Sequence, residues 1–219
     1  MPRVCVSKGS SVSVMGVNRY PEIALGAAAR ARQAAVGHTQ PQPVGEFGLE
    51  GTDKALIRRA DHFFLSTVTE SGWPYVQHRG GPPGFVHVDS DTTLAWVEFR
   101  GNRQYVTVGD IDVDDRVSLF FIDYPTRSRL KVFGHARLVE PEEDPGLIER
   151  LRTMGNKTYT GHVERAIVVD LVASDANCSK HITPRWDRDY VDRLTALYQR
   201  DIDELQALVD ELRGQTPRD

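Results

Sequence analysis

Cysteine is scarce in these 219 residues: only Cys5 and Cys178 occur, far apart in the chain. Two such thiols form no disulfide framework and suit a reducing compartment, so the expected location is cytoplasmic. No apolar run approaches the ~18 residues that a membrane span needs, so no membrane role is expected. The N-terminal stretch has basic residues but lacks the apolar segment of a secretory signal. Positive charge is not in excess either. There are 27 Lys and Arg against 31 Asp and Glu, for a formal charge of −4. The general phosphate-backbone footprint of a nucleic-acid-binding protein is therefore absent, and no nucleic-acid partner is expected. Glycine-rich dinucleotide and phosphate-loop motifs, the zinc-protease His pair and the serine-hydrolase elbow are all missing. The seven histidines show no zinc-type ligand spacing, so no metal is expected.

What is present is globular: 40% hydrophobic and 26% charged residues describe one domain with decorated ends rather than a disordered chain. For residues 1–14 two readings stand, an unstructured extension and a start of translation at Met15. Residues 15–51 form an N-terminal arm. It holds an Ala- and Arg-rich helix over Pro21 to Val36, then a Pro- and Gly-containing linker. Thr52 or Asp53 is placed to cap a short helix running to about Ala60. Residues 52–185 have strand texture. Apolar and β-branched runs recur at Phe63–Thr69, Pro74–His78, Phe85–Val88, Thr92–Val97, Arg116–Ile122, Arg129–Glu140 and Glu164–Val172, with helices near Asn102–Gly109 and Pro145–Met154. About six short strands with brief helical insertions argue an antiparallel barrel or sandwich, mainly β within the α+β class. Residues 186–219 carry a long amphipathic helix. Its apolar stripe is Val191, Leu194, Tyr198, Ile202, Leu205, Val209 and Leu212, with Asp187 as cap and Gly214 as stop. The stripe fits packing on the protein's own barrel or a dimer contact.

Three stretches concentrate candidate chemistry. In Phe99–Tyr105, Gly101 allows close backbone approach, Asn102 is a good N-cap, and Arg100 and Arg103 bring forked donors suited to phosphate. A capped helix with solvated arginines fits the same residues. In Pro74–Phe85, strand alternation puts Gln77 and Arg79 on one face and Val76 and His78 on the other, ahead of a glycine- and proline-rich loop at Gly80–Gly84. A rigid structural loop is the alternative. In Asn177–Trp186, Lys180 and His181 sit in a polar loop that is either a binding loop or a connector to the tail helix. Cys178 beside Lys180 and His181 has the neighbours of a lowered thiol pKa, although a structural role outweighs a nucleophilic one.

Taken together, these stretches resemble the pyridoxamine 5′-phosphate oxidase-like, FMN-binding split-barrel family over about Lys54 to Arg185. The resemblance is carried by Phe64–Val68 through Gln77–Gly81, by Arg100–Gln104, by Asp115–Phe120 and by Asn177–Ile182. It implies a six-stranded antiparallel Greek-key split barrel that forms a homodimer, with FMN in clefts at the subunit interface. It further implies FMN-binding roles for Gln77, His78, Arg79, Gly80, Arg100, Gly101, Asn102, Arg103, Gln104, Lys180 and His181. Gly101–Gln104 matches the family's phosphate motif, with Asn102 in place of Ser and Gln104 in place of Lys. The implied activity is oxidoreductase chemistry, hydride transfer between a reduced donor such as NAD(P)H and a small-molecule acceptor; no catalytic residue is singled out. A non-catalytic flavin-binding or sensing protein, or the same fold holding a deazaflavin or haem, remains the alternative.

Overall fold

A computed structural model describes residues 16–39, 45–176 and 180–215. Residues 1–15, including the expected extension and Met15, lie outside the described residues, as do Asn177, Cys178 and Ser179. The chain divides into two compact units: Met1–Asp123 with Ser128–Ser179, and Tyr124–Arg127 with Lys180–Asp219. Among the described residues, no helix is long and apolar enough to cross a membrane.

The first unit is mainly an antiparallel sheet with flanking helices, the split-barrel architecture. It opens with α1 (Tyr20–Ala24) and α2 (Ala27–Ala35). The single Ala-rich helix expected over Pro21–Val36 is thus broken at Leu25–Gly26, where both residues leave helical geometry. Then comes α3 (Gly51–Arg59). Its cap is Glu50, not Thr52 or Asp53; the Asp53 carboxylate accepts from the Glu50 amide, closing the first turn two positions before Thr52.

Among the described residues nine strands follow, with two helices among them: β1 (His62–Val68), β2 (Pro74–Gly80), β3 (His87–Ser90), β4 (Thr93–Phe99), α4 (Val106–Val113), β5 (Arg116–Asp123), β6 (Ser128–Val139), α5 (Pro145–Leu151), β7 (Thr153–Met154), β8 (Lys157–Thr158) and β9 (Val163–Ala176). Seven build one sheet in the order β2-β1-β5-β6-β9-β4-β3, and β7 and β8 form a separate hairpin. The main sheet therefore has one strand more than the expected six. Each of its seven strands answers to one of the seven runs read in the sequence, and the short edge strand β3, which pairs antiparallel with β4, answers to Phe85–Val88. Phe85 and Val86 are not part of it. They are buried in the preceding loop, so the expected strand starts two residues late. Helix α5 stops at Leu151 rather than Met154, because Gly155 takes φ +61 and turns the chain into the hairpin.

Strand alternation makes the core. In β1, Phe63, Leu65 and Thr67 point inward; in β5, Val117, Leu119 and Phe121 do so. The Phe63 ring lies 5.1 Å from those of both Trp96 and Phe121 and 5.8 Å from that of Phe85. The sheet curls far enough to bring its two ends together. Arg79 on edge strand β2 meets Glu98 on β4, next to the opposite edge, at 3.0 Å. That junction is made by side chains rather than by a backbone ladder, and it opens the cleft described below. Helix α4 packs on β1 and β6 and is pinned to β1 by a buried hydrogen bond of 2.5 Å from the Thr67 hydroxyl to Asp110.

The second unit contains α6 (Arg188–Gln215). Asp187 caps it as expected, accepting from the Tyr190 amide at 2.6 Å. Gly214 does not stop it, since the helix runs on through that residue. Before the helix, the Arg185 guanidinium lies 4.8 Å over the Tyr124 ring.

Candidate functional site

A cleft open to solvent lies at the meeting of the sheet ends. Its walls are the inward face of β2, the end of β4, the loop Gly101–Tyr105, the first turn of α4, and Glu164 of β9. Period-two alternation explains the β2 wall: Tyr75, Gln77 and Arg79 are half-buried, while Val76 and His78 are exposed on the other side. The Tyr75 hydroxyl donates to the Gln77 carboxamide oxygen at 2.5 Å, which fixes the direction of that amide.

The loop owes its shape to two residues in the left-handed region, Arg103 (φ +60) and Tyr105 (φ +53). Both conformations are incompatible with a helix of L-residues, so α4 begins at Val106 and not at Asn102. Asn102 does not cap that helix. Its side-chain oxygen accepts from the Gln104 amide at 3.1 Å and closes a local turn instead. Tyr105, as the residue before the helix, offers no side-chain cap, so among the described residues no side chain caps the first turn at Val106–Val108.

Charge in the cleft is unevenly matched. Arg79 pairs with buried Glu98 through one terminal nitrogen, while its Nε is buried without a hydrogen-bond partner. Arg165 pairs with Glu140 at 2.8 Å, stands 3.6 Å from Glu98, and lies 5.5 Å over the Tyr105 ring. Tyr105 donates to Glu164 at 3.2 Å, and Arg100 reaches the same carboxylate at 4.0 Å. Of the charged groups that line the cleft, Arg79 and Arg103 stand with Glu98 and Glu164, and among the described residues no carboxylate pairs with Arg103. An unpaired arginine, a buried guanidinium N–H lacking an acceptor and an uncapped helix turn converge on one place, which can bind an anion of phosphate type. The donor set therefore fits a phosphorylated cofactor. Among the described residues, no group of three metal-ligating side chains occurs.

Of the residues singled out from sequence, the structure brings Gln77, Arg79, Gly101, Asn102, Arg103 and Gln104 together in the cleft. Arg100 is half-exposed just outside it. His78 and Gly80 lie on the opposite face of β2, where His78 stacks on His62 with ring centroids 5.6 Å apart. Lys180 and His181 belong to the second unit, where both are exposed and His181 takes φ +64. Sequence reasoning missed Tyr75, Glu98 and Glu164. The alternation that selected Gln77 and Arg79 also selects Tyr75, and a lone carboxylate in the apolar run Thr93–Phe99 signals Glu98.

Comparison with known proteins bears on the same region. The family model described as pyridoxamine 5′-phosphate oxidase matches residues 49–170. No curated protein matches the chain by sequence. Among solved structures, HupZ of Group A Streptococcus is 12% identical, with 63% of this chain and 99% of that one covered at a TM-score of 0.47. An FMN-binding protein of Syntrophomonas wolfei is 14% identical, with 57% and 83% covered and a TM-score of 0.45. An F420 reductase is 20% identical, with 56% and 94% covered and a TM-score of 0.43.

Proposed function

Because the chain belongs to the pyridoxamine 5′-phosphate oxidase family, we propose that it is a flavoprotein that binds FMN through its phosphate in the cleft at Gly101–Val108. In this reading it works as an oxidoreductase, moving hydride between a reduced donor such as NAD(P)H and a small-molecule acceptor. The carrying observation is the convergence of unpaired Arg103, the partnerless Nε of Arg79 and the open first turn of α4.

FMN, when bound, supplies the hydride chemistry of its ring system; this chain's residues bind and orient it. Arg103 meets the phosphate charge, and the amides of Val106, Thr107 and Val108 add neutral donors. Arg79 is held by Glu98, so its guanidinium is already ordered, and an acceptor at Nε removes an unsatisfied buried donor. Gln77, fixed by Tyr75, offers a directed amide to the polar edge of a ligand. The homodimer is part of the same proposal. Edge strand β2 and the turn before it expose Val76 (60%) and Trp73 (73%), apolar surface suited to a second copy.

The first test is an absorbance spectrum of the purified protein after FMN addition and desalting. Retained flavin bands, followed by NAD(P)H turnover with a dye acceptor, support the reading. A Soret band or no retained flavin overturns it.

A further inference from the structure

Helix α6 carries its apolar stripe in the open. Val191, Leu194, Tyr198, Ile202, Leu205, Val209 and Leu212 are between 37% and 62% exposed, over a helix about 42 Å long. An apolar face of that length in water calls for a cover.

The stripe's own pattern indicates which. The helix spans Arg188–Gln215, so its midpoint falls between Asp201 and Ile202. Val191 and Leu212 are equidistant from that midpoint, and so are Leu194 and Val209, and Tyr198 and Leu205. At 100° per residue, the two members of each pair fall on opposite sides of the stripe's centre line. A copy of the helix turned end for end about this midpoint therefore presents an apolar side chain opposite every one of these six, offset so that they interdigitate. It does so with full-length overlap and no overhang. Within the stripe Ile202 is the exception, since its mirror position is Asp201 at the stripe's edge; the exposed Tyr190, Leu197 and Leu208 flank the stripe and face Arg213, Gln206 and Thr195.

Charge selects the same orientation. The N-terminal half, 188–201, holds three Arg and three Asp and is neutral. The C-terminal half, 202–215, holds four carboxylates and Arg213, a charge of −3. Parallel pairing sets −3 beside −3, whereas antiparallel pairing sets −3 beside a neutral half.

We infer that α6 pairs antiparallel with α6 of a second copy of this chain, about a twofold axis near Asp201 and Ile202. This contact is self-complementary, as a closed twofold interface requires, and it does not depend on the cleft holding flavin.

The test uses the full chain with Cys5→Ser and Cys178→Ser, plus Val191→Cys and Leu212→Cys. Within one helix these two positions are about 31 Å apart and cannot bridge. After mild oxidation and tryptic digestion, the expected product is an interchain disulfide joining the peptide of position 191 to that of position 212. Adding Tyr198→Asp and Leu205→Asp should cut its yield at least tenfold. A 191–191 link, an indiscriminate mixture of links, or no interchain link overturns the inference. Flavin retention measured on the same sample reports separately on the cleft, so failure of one reading is distinguishable from failure of the other.

Discussion

Two glycine-bearing loops look alike in sequence and differ in structure. Gly80–Gly84 follows a strand that carries Arg79, and Gly101–Tyr105 follows one that ends near Arg100; both are candidates for close approach to a ligand. In the first loop the space beside the glycines is already taken by protein. A Cβ on Gly81 would sit 2.6 Å from the Phe85 ring, and one on Gly84 would sit 2.9 Å from the Gly155 amide nitrogen. In the second loop, a Cβ on Gly101 would meet nothing nearer than the Phe99 carbonyl oxygen at 4.0 Å. The first loop uses its glycines to pack two chain segments together, whereas the second keeps an open flank beside an arginine with no carboxylate partner. A glycine next to an arginine thus signals a binding site only where the protein itself leaves the space empty.

The sharpest way to break this contrast is Gly84→Ala. That residue has φ +88 as well as the close Gly155 backbone, so left-handed strain and overpacking act together. The expected loss is about 2–4 kcal/mol of unfolding free energy by urea titration, with FMN affinity of the folded fraction unchanged. Arg103→Ala should behave in the opposite way. Stability stays the same, while FMN binding weakens by about 1.5–3 kcal/mol, the range for a hydrogen bond to a charged group. Unchanged affinity in that variant removes the phosphate assignment. Gly101→Ala lies between them. Its stability should hold within about 0.5 kcal/mol, because the added methyl meets no protein atom, while FMN affinity falls by about 1 kcal/mol or more if ligand fills that flank.

What was legible in the sequence follows from how local each cause is. The strands of the main sheet were legible because alternation is a local signal: Phe63, Leu65 and Thr67 point inward as the run Phe63–Val68 dictates. The same rule separated Gln77 and Arg79 from His78. The start of α4 was not legible, because Arg103 and Tyr105 adopt left-handed backbone that no propensity assigns to them, so Asn102 read as a helix cap. The Arg79–Glu98 pair was invisible for another reason. It joins strands that are not neighbours in the sheet, and only the curl of the whole sheet brings them to 3.0 Å. The packing role of Gly81 likewise depends on where Phe85 ends up. At Arg100–Gln104 the donor chemistry was legible locally, since a glycine beside two arginines suits an anion, while the backbone shape of that corner was not.

The smallest expected effect concerns the far end of α4. There Arg116 holds the Asp114 carboxyl down to about 2, chiefly through a side-chain hydrogen bond and then through its own amide. An unfolded Asp titrates near ~3.9, so between those values the unfolded chain binds more protons than the folded one. The resulting stabilisation is fully present above about pH 5 and is lost as pH falls toward 2. Asp114→Asn removes it. Urea midpoints of the variant and the parent should therefore differ slightly at neutral pH and converge in strong acid, in keeping with the small worth of a solvent-facing pair. FMN affinity should not change, because the field of a screened pair at the C-terminal end of α4 fades before the first turn. A variant that lowered FMN binding as much as Arg103→Ala would show that the cleft's anion preference comes from the whole helix, and the contrast between an open loop and a packed one would no longer account for it.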